Sequence, residues 1–277
     1  MKATDYFKDQ VVWITGASSG IGEALVYAFA LRGALLIISS RNKADLEKVK
    51  ENCKIPAEKI FVLPVDLSQP DLIAEKSGNA MAQWGRIDYV IHNAGIASRS
   101  LVQETEMKVF RMIMETNYFG TVAITRAVLP SMLRNKKGHF VVISSLSGKF
   151  GVPKLSAYAA SKHALHGFFD SLRTEIAGKG IDISIIIPGF INTQIITRSV
   201  DGDGNVRGRN LDINEKGMSA EQCAQKIVAA VERKKQEIVI GGSEVWSVFI
   251  NRYFPRGFNR LMGRHPIKNL KKILFRK

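Results

Sequence analysis

Short apolar runs rich in β-branched residues alternate along the chain with longer stretches in which apolar positions recur every three or four residues. The short runs predict strands over 11–15, 34–39, 60–65, 88–92, 138–144, 181–187 and 237–241. They are continuous rather than alternating, which is the pattern of strands covered on both faces. The longer stretches predict helices beginning near Ile21, Lys43, Pro70, Thr105, Ser156 and Ser219, the last with Gln222 three residues on as a capping box. Strands joined through helices fold by right-handed crossovers into a parallel sheet. The expected fold is therefore α/β: a doubly wound, Rossmann-type, seven-stranded parallel sheet with helices on both faces. It forms a single domain over 1–242, followed by a basic extension over 243–277. The Gly- and charge-rich segment from Arg198 to Gly217 predicts a mobile loop beside the carboxyl ends of the strands, where ligands bind in such sheets.

Composition leaves this picture standing, since 277 residues suffice for one sizeable core and 45% hydrophobic with 23% charged residues excludes disorder. Cys53 and Cys223 lack the spacing of metal ligands and read as reduced thiols. No stretch has the length of a signal peptide core or a membrane span, so the expected location is cytoplasmic, at most peripheral at a membrane. Charge changes the picture more. Of the net +15, the segment from Glu244 to Lys277 carries +8, with nine Lys or Arg against Glu244 alone. Trp246, Phe249, Tyr253, Phe254, Phe258, Leu261 and Met262 are interleaved with those cations. Such a tail either lies on an anionic membrane surface or packs its apolar side as a lid or against another subunit. Nucleic acid is not expected as a partner, because no recognition motif accompanies the charge.

After the first strand comes Thr15-Gly16-Ala17-Ser18-Ser19-Gly20-Ile21-Gly22, opening a helix. A glycine-rich strand-to-helix turn lets the main chain approach a pyrophosphate and aims free helix N–H groups at it. The second strand ends Ser39-Ser40-Arg41-Asn42, where NAD enzymes carry an acid for the ribose 2′-hydroxyl; Arg41 instead suits a 2′-phosphate, and with it NADP(H). Tyr158 and Lys162 stand four residues apart at the start of a helix, on one face. Ser145 ends the fifth strand, and Asn117 lies inside a helix where its propensity is poor. His92 reads as a packed, hydrogen-bonded neighbour, and the offsets of His163 and His166 from Tyr158 give them no role.

These ordered motifs resemble the short-chain dehydrogenase/reductase family up to about Gly242. The resemblance is carried by the glycine turn, Asp66-Leu67, Asn93-Ala94-Gly95, Asn117-x-x-Gly120, Ser145, Tyr158, Lys162, and Pro188-Gly189 followed by Thr193. It implies an NADP(H)-dependent oxidoreductase that interconverts a carbonyl and a secondary alcohol, with homo-dimers or homo-tetramers as the usual assembly. Asn117, Ser145, Tyr158 and Lys162 would be catalytic. Gly16, Ser18, Ser19, Gly20, Ile21, Gly22, Ser40, Arg41, Asp66, Leu67, Asn93, Ala94, Gly95, Pro188, Gly189 and Thr193, with Tyr158 and Lys162, would hold the cofactor. Leu146, Phe150, Val152, Leu155, Phe190 and Ile191 would form an apolar substrate pocket, and the tail is similar to those of membrane-associated steroid and lipid dehydrogenases. Moving a phenol from a pKa of about 10 to near 7 takes roughly 4 kcal/mol, which the Lys162 charge and the positive ring of the oxidised nicotinamide are expected to supply. Two other classes of function stay open: a non-catalytic NADP(H)-binding regulator, and a membrane-surface binder acting through the tail.

Overall fold

The computed structural model describes residues 6–206 and 217–264, and within them all seven expected strands form one parallel sheet. β1 (Val11–Thr15), β2 (Leu35–Ser39), β3 (Ile60–Val62), β4 (Tyr89–His92), β5 (Gly138–Ile143), β6 (Ile181–Pro188) and β7 (Glu237–Ile240) lie in the order β3-β2-β1-β4-β5-β6-β7. The crossovers carry α1 (Gly20–Ala30), α2 (Lys43–Asn52), α3 (Pro70–Trp84), α4 (Met107–Met114), α5 (Gly120–Asn135), α6 (Ser156–Glu175) and α7 (Ala220–Glu232). α8 (Trp246–Tyr253) and α9 (Pro255–Arg264) follow the last strand.

The apolar runs work because each strand feeds two cores. Val12, Ile14, Leu36 and Ile38 point to the side of α1 and α7, where Leu25, Phe29, Ile227 and Val231 meet them. Val11, Trp13, Ile37 and Val90 point to the other side, against Ile124 and Val128 of α5 and Phe169 of α6. Trp13 sits in register with Ile37 on one neighbour and Val90 on the other, and its buried indole N–H donates to Ser39 Oγ at 2.9 Å. Helix ends follow their sequence signals. Asn42 caps α2 through Ala44 N, Ser219 caps α7 through Gln222 N, Pro70 opens α3, and Gly85 closes α3 in the left-handed region.

Three elements differ from expectation. β3 ends at Val62 rather than residue 65, because Pro64 interrupts the run and only Leu63 and Val65 donate on to β2. α4 starts at Met107, because Leu101 and Thr105 flank a 3-10 turn (Val102–Glu104) closed by Thr105 Oγ1 donating to Leu101 O. The helix containing Asn117 is broken by a π turn, Glu115–Phe119, between α4 and α5. The loop expected at 198–217 is described only at its flanks, where Val200 bridges Ser98 and Val206; residues 207–216 lie outside the described residues.

The extension divides its aromatic residues between two surroundings. Phe258 and Met262 of α9 are buried in the α5/α6 core, with the Phe258 ring 5.0 Å from Phe150 and edge-on to it. Trp246, Phe249, Tyr253 and Phe254 of α8 and the turn after it are exposed. Lys268, Lys271, Lys272, Arg276 and Lys277 lie outside the described residues. Among the described residues no helix is long and apolar enough to cross a membrane.

At the amino end of the sheet, buried Asp88 accepts Val11 N–H at 2.9 Å, Arg86 Nε at 3.0 Å and Lys137 Nζ at 3.1 Å. Asp88→Ala strands that buried amide while its two half-exposed cations return to water. We expect it to cost about 2 kcal/mol of unfolding free energy in urea titration, with an unchanged m value.

Candidate active site

β1 and β4 are adjacent, but the chain leaves their carboxyl ends in opposite directions, β1 toward β2 and β4 toward β5. A cleft of about 310 Å³ opens there. Thr15 and Asn93 tie its floor: Thr15 Oγ1 accepts from Asn93 N at 3.1 Å and Ala94 N at 3.2 Å, and Asn93 Nδ2 donates to Thr15 O and Gly16 O, both at 3.1 Å. The glycines are needed for this closeness. Gly16 has φ +65°, and a Cβ on Gly22 would lie 2.1 Å from Gly16 O. Bare main chain and the α1 N-terminus therefore face the cleft, a surface that fits a pyrophosphate.

Of the sequence-derived cofactor residues, Gly16, Ser18, Ser19, Gly20, Ile21, Ser40, Arg41, Asp66, Leu67, Asn93, Ala94, Gly95 and Thr193 line this cleft. Gly22, Pro188, Gly189, Tyr158 and Lys162 are not part of its lining. Asp66 Oδ1 also accepts Ser68 N–H and hydroxyl at 3.0 and 2.8 Å, so it builds a local turn while facing the cleft. Arg41 is exposed at the rim and makes no hydrogen bond or ion pair among the described residues. Two charged lining residues were given no role by the sequence analysis. Asp45 lies in the first turn of α2, with its carboxylate on Asn42 Nδ2 at 2.9 Å and Lys48 Nζ at 3.8 Å. Arg198 reaches back over the glycine turn to Ser19 Oγ at 3.3 Å.

The four residues expected to be catalytic converge below this cleft. Ser145 follows β5 in extended backbone; its hydroxyl accepts Ser147 N–H and lies close enough to the Tyr158 phenol to draw its pKa down. Tyr158 and Lys162 are both buried on α6, with Lys162 Nζ 5.8 Å from the Tyr158 ring centre and donating to Ile143 O at 2.8 Å. Asn117, fully buried in the π turn, accepts Ile96 N–H at 2.8 Å and donates to Ile96 O and Ser161 Oγ, each at 2.9 Å. Both of its amide hydrogens are thus spent on the protein. Asn117 clamps the segment after β4 to α6, which explains a poor helix former at a buried helical position. Gly95 passes between it and Lys162: a Cβ there would lie 3.2 Å from Asn117 Oδ1 and 3.5 Å from Lys162 Nζ.

Electrostatics depart from the expectation that Lys162 draws the phenol's pKa down. Burial raises Tyr158 above its ordinary value, and only the Ser145 bond opposes it. Burial also lowers Lys162 to about 8. Both shifts favour the neutral forms. His92 matches its assigned part: Nε2 bonds Thr125 Oγ1 at 2.9 Å, the ring stacks on Phe140, and burial holds its pKa near 3. His166 has a contact the sequence did not suggest. Its Nε2 bonds Ser144 Oγ at 2.9 Å, two turns beyond Tyr158, and so pins the end of β5 to α6. Of the expected substrate residues, Leu146, Phe150 and Ile191 are buried in the cores, while Val152, Leu155 and Phe190 are half-buried.

The profile of a family described as short chain dehydrogenase matches residues 10–203. A fruit fly (Drosophila melanogaster) protein named Dehydrogenase/reductase SDR family protein 7-like is 38% identical over 264 residues, covering 94% of this chain and 81% of its own. A short chain dehydrogenase/reductase from Burkholderia phymatum, solved in complex with NAD, superposes with a TM-score of 0.81 at 20% identity, over 91% of this chain and 95% of that one. An alcohol dehydrogenase from Thermococcus sibiricus, complexed with 5-hydroxy-NADP, gives 0.73 at 23% identity, over 84% and 97%. These two structures speak to the fold.

The depressed Lys162 has a consequence for stability. Its folded value near 8 lies below the ordinary 10.5, so between those values the unfolded chain holds more protons and stability rises with pH. The burial penalty is fully present below pH 8 and is relieved above it. Lys162→Met removes the titrating group and is expected to flatten that rise by roughly 2 kcal/mol between pH 8 and 10. Urea melts of parent and variant at stepped pH measure it, and parallel curves would refute it.

Proposed function

The chain belongs to the short-chain dehydrogenase family, and from that premise we propose an oxidoreductase that uses NADP(H) to interconvert a carbonyl and a secondary alcohol on an apolar substrate. The observation that carries this proposal is the convergence of Ser145, Tyr158 and Lys162 on one buried point beneath a glycine-lined cleft. The bound nicotinamide supplies or accepts hydride. Tyr158 gives the proton to the carbonyl oxygen or takes it from the alcohol. With its pKa raised, the phenol holds its proton near pH 7, the form that protonates a carbonyl. Ser145 bonds the same oxygen as charge grows on it. Lys162, near 8, is mostly cationic at pH 7, with its ammonium 5.8 Å from the Tyr158 ring centre. Val152, Leu155 and Phe190 form the apolar wall of the substrate pocket, with Leu146, Phe150 and Ile191 behind them.

For the dinucleotide, Arg41 supports NADP(H), since its guanidinium is exposed at the rim, whereas the nearby Asp45 carboxylate is already engaged by Asn42 and Lys48. A second reading concerns partners. The exposed Trp246, Phe249, Tyr253 and Phe254 stand beside exposed Arg252 and Arg256, a surface suited to an anionic bilayer or to another copy of the chain. Salt-sensitive sedimentation with anionic vesicles supports the bilayer; a vesicle-independent dimer lost in Trp246→Ser supports the copy.

Equilibrium fluorescence titration with NADPH and NADH tests the main proposal. Arg41→Asp is expected to erase an NADPH preference of roughly 10- to 100-fold, while Tyr158→Phe keeps cofactor affinity and loses turnover of apolar ketones. Equal binding of both dinucleotides by the parent would refute the NADP assignment. Undiminished turnover in Tyr158→Phe would remove Tyr158 from the chemistry, and cofactor binding with no turnover of any ketone by the parent would favour a regulator.

A further inference from the structure

One carboxylate is buried with no ion pair among the described residues. Glu244, 6% exposed, lies in the 3-10 turn Ser243–Val245 that opens the C-terminal extension. Burying a carboxylate is costly unless hydrogen bonds replace its water. Here two main-chain amides do so from different segments: Glu244 Oε1 accepts Phe190 N–H at 2.9 Å and Gly242 N–H at 3.0 Å. The space around it admits no side chain. A Cβ on Gly189 would lie 2.3 Å from Oε1 and one on Gly241 2.5 Å. The Glu244 carbonyl is held in turn by the Ser247 hydroxyl at 2.5 Å, and Gly189 N–H donates to Ile240 O at 2.8 Å. Glu244 thus fastens the exit of β6 to the exit of β7.

The fastened segment leads directly into the cleft. Three residues beyond Phe190, Thr193 packs against the glycine turn, its Cγ2 3.1 Å from where a Cβ on Gly20 would sit. Between them Met218 N–H donates to Phe190 O and Asn192 N–H to Met218 O, so the segment is held on its other side as well. A shift at Phe190 is carried by this short, braced run to the wall of the dinucleotide cleft.

We propose that Glu244 is a positioning residue for the nicotinamide half of the dinucleotide, and that the C-terminal extension is through it a working part of the cofactor site. This rests on the dinucleotide reading above. The carboxylate touches no reacting atom; it sets where Gly189, Phe190 and Thr193 stand. Its loss therefore weakens contacts at the nicotinamide end and leaves the adenosine end, built on β1, β2 and the glycine turn, as it was.

The test compares two ligands on the full chain: NADPH, and adenosine 2′,5′-bisphosphate, which fills only the adenosine end. NADH and ADP take their place if the parent prefers NADH. Glu244→Ala is expected to weaken NADPH about 10- to 100-fold, with the bisphosphate affinity unchanged and kcat and KM both worsened. Glu244→Gln, which keeps an acceptor oxygen for the two amides, recovers most of the loss. If Glu244→Ala does not fold, Glu244→Asp carries the same test, because the shorter side chain cannot reach both amides. Unchanged NADPH binding overturns the proposal, as does equal loss of both ligands, which marks general damage to the fold. A parent that binds neither ligand overturns the dinucleotide reading, and the proposal with it.

Discussion

Two neighbouring strands whose chains depart in opposite directions leave a gap, and the gap collapses or spreads unless something ties its floor without filling it. Thr15 and Asn93 are that tie, four hydrogen bonds between the carboxyl ends of β1 and β4. Both side chains are short, both satisfy main-chain groups that the diverging sheet would leave unpaired, and neither projects far into the space above. The glycine turn rests on this tie, since Gly16 O is itself one of its acceptors. Every other part of the site is placed with reference to it: Ser145 from β5 next door, Tyr158 and Lys162 from the helix that returns after β5, Phe190 from β6 beyond.

The cleft and the buried cluster of Ser145, Tyr158 and Lys162 differ in electrostatic character. The cleft is lined by main-chain groups, hydroxyls, the guanidiniums of Arg41 and Arg198 and the carboxylates of Asp45 and Asp66, among apolar side chains such as Val65 and Ile195. Beneath it, burial disfavours both phenolate at Tyr158 and ammonium at Lys162. A proton that leaves one group of such a pair finds little solvent to take it up.

The fold was legible because its strands are buried on both faces, and β-branched runs such as VVWIT and LLIIS carry that fact in composition alone. The glycine turn and the Tyr158/Lys162 pair were legible because their geometry is local. What the sequence could not convey was contact between distant segments. His166 reaches Ser144 across 22 positions, Arg198 reaches Ser19 across 179, and Phe190 reaches Glu244 across 54. Nor does a sequence carry solvation, which is why Lys162 suggested a lowered phenol where burial raises it. The π turn at Asn117 eluded a search for a 3.6-residue period because it is a single added residue in an otherwise regular helix.

The Phe190–Glu244 bond also has a meaning in time. A chain leaves the ribosome amino end first, so β1, the glycine turn and the Thr15–Asn93 tie are available while the sheet's far edge is still unmade. The segment after β6 is fastened later, because the Phe190 N–H has its acceptor encoded 54 residues downstream, past β7. A nascent chain therefore forms the glycine turn before the Phe190 N–H has its acceptor, and translation through residue 244 is what makes that bond possible.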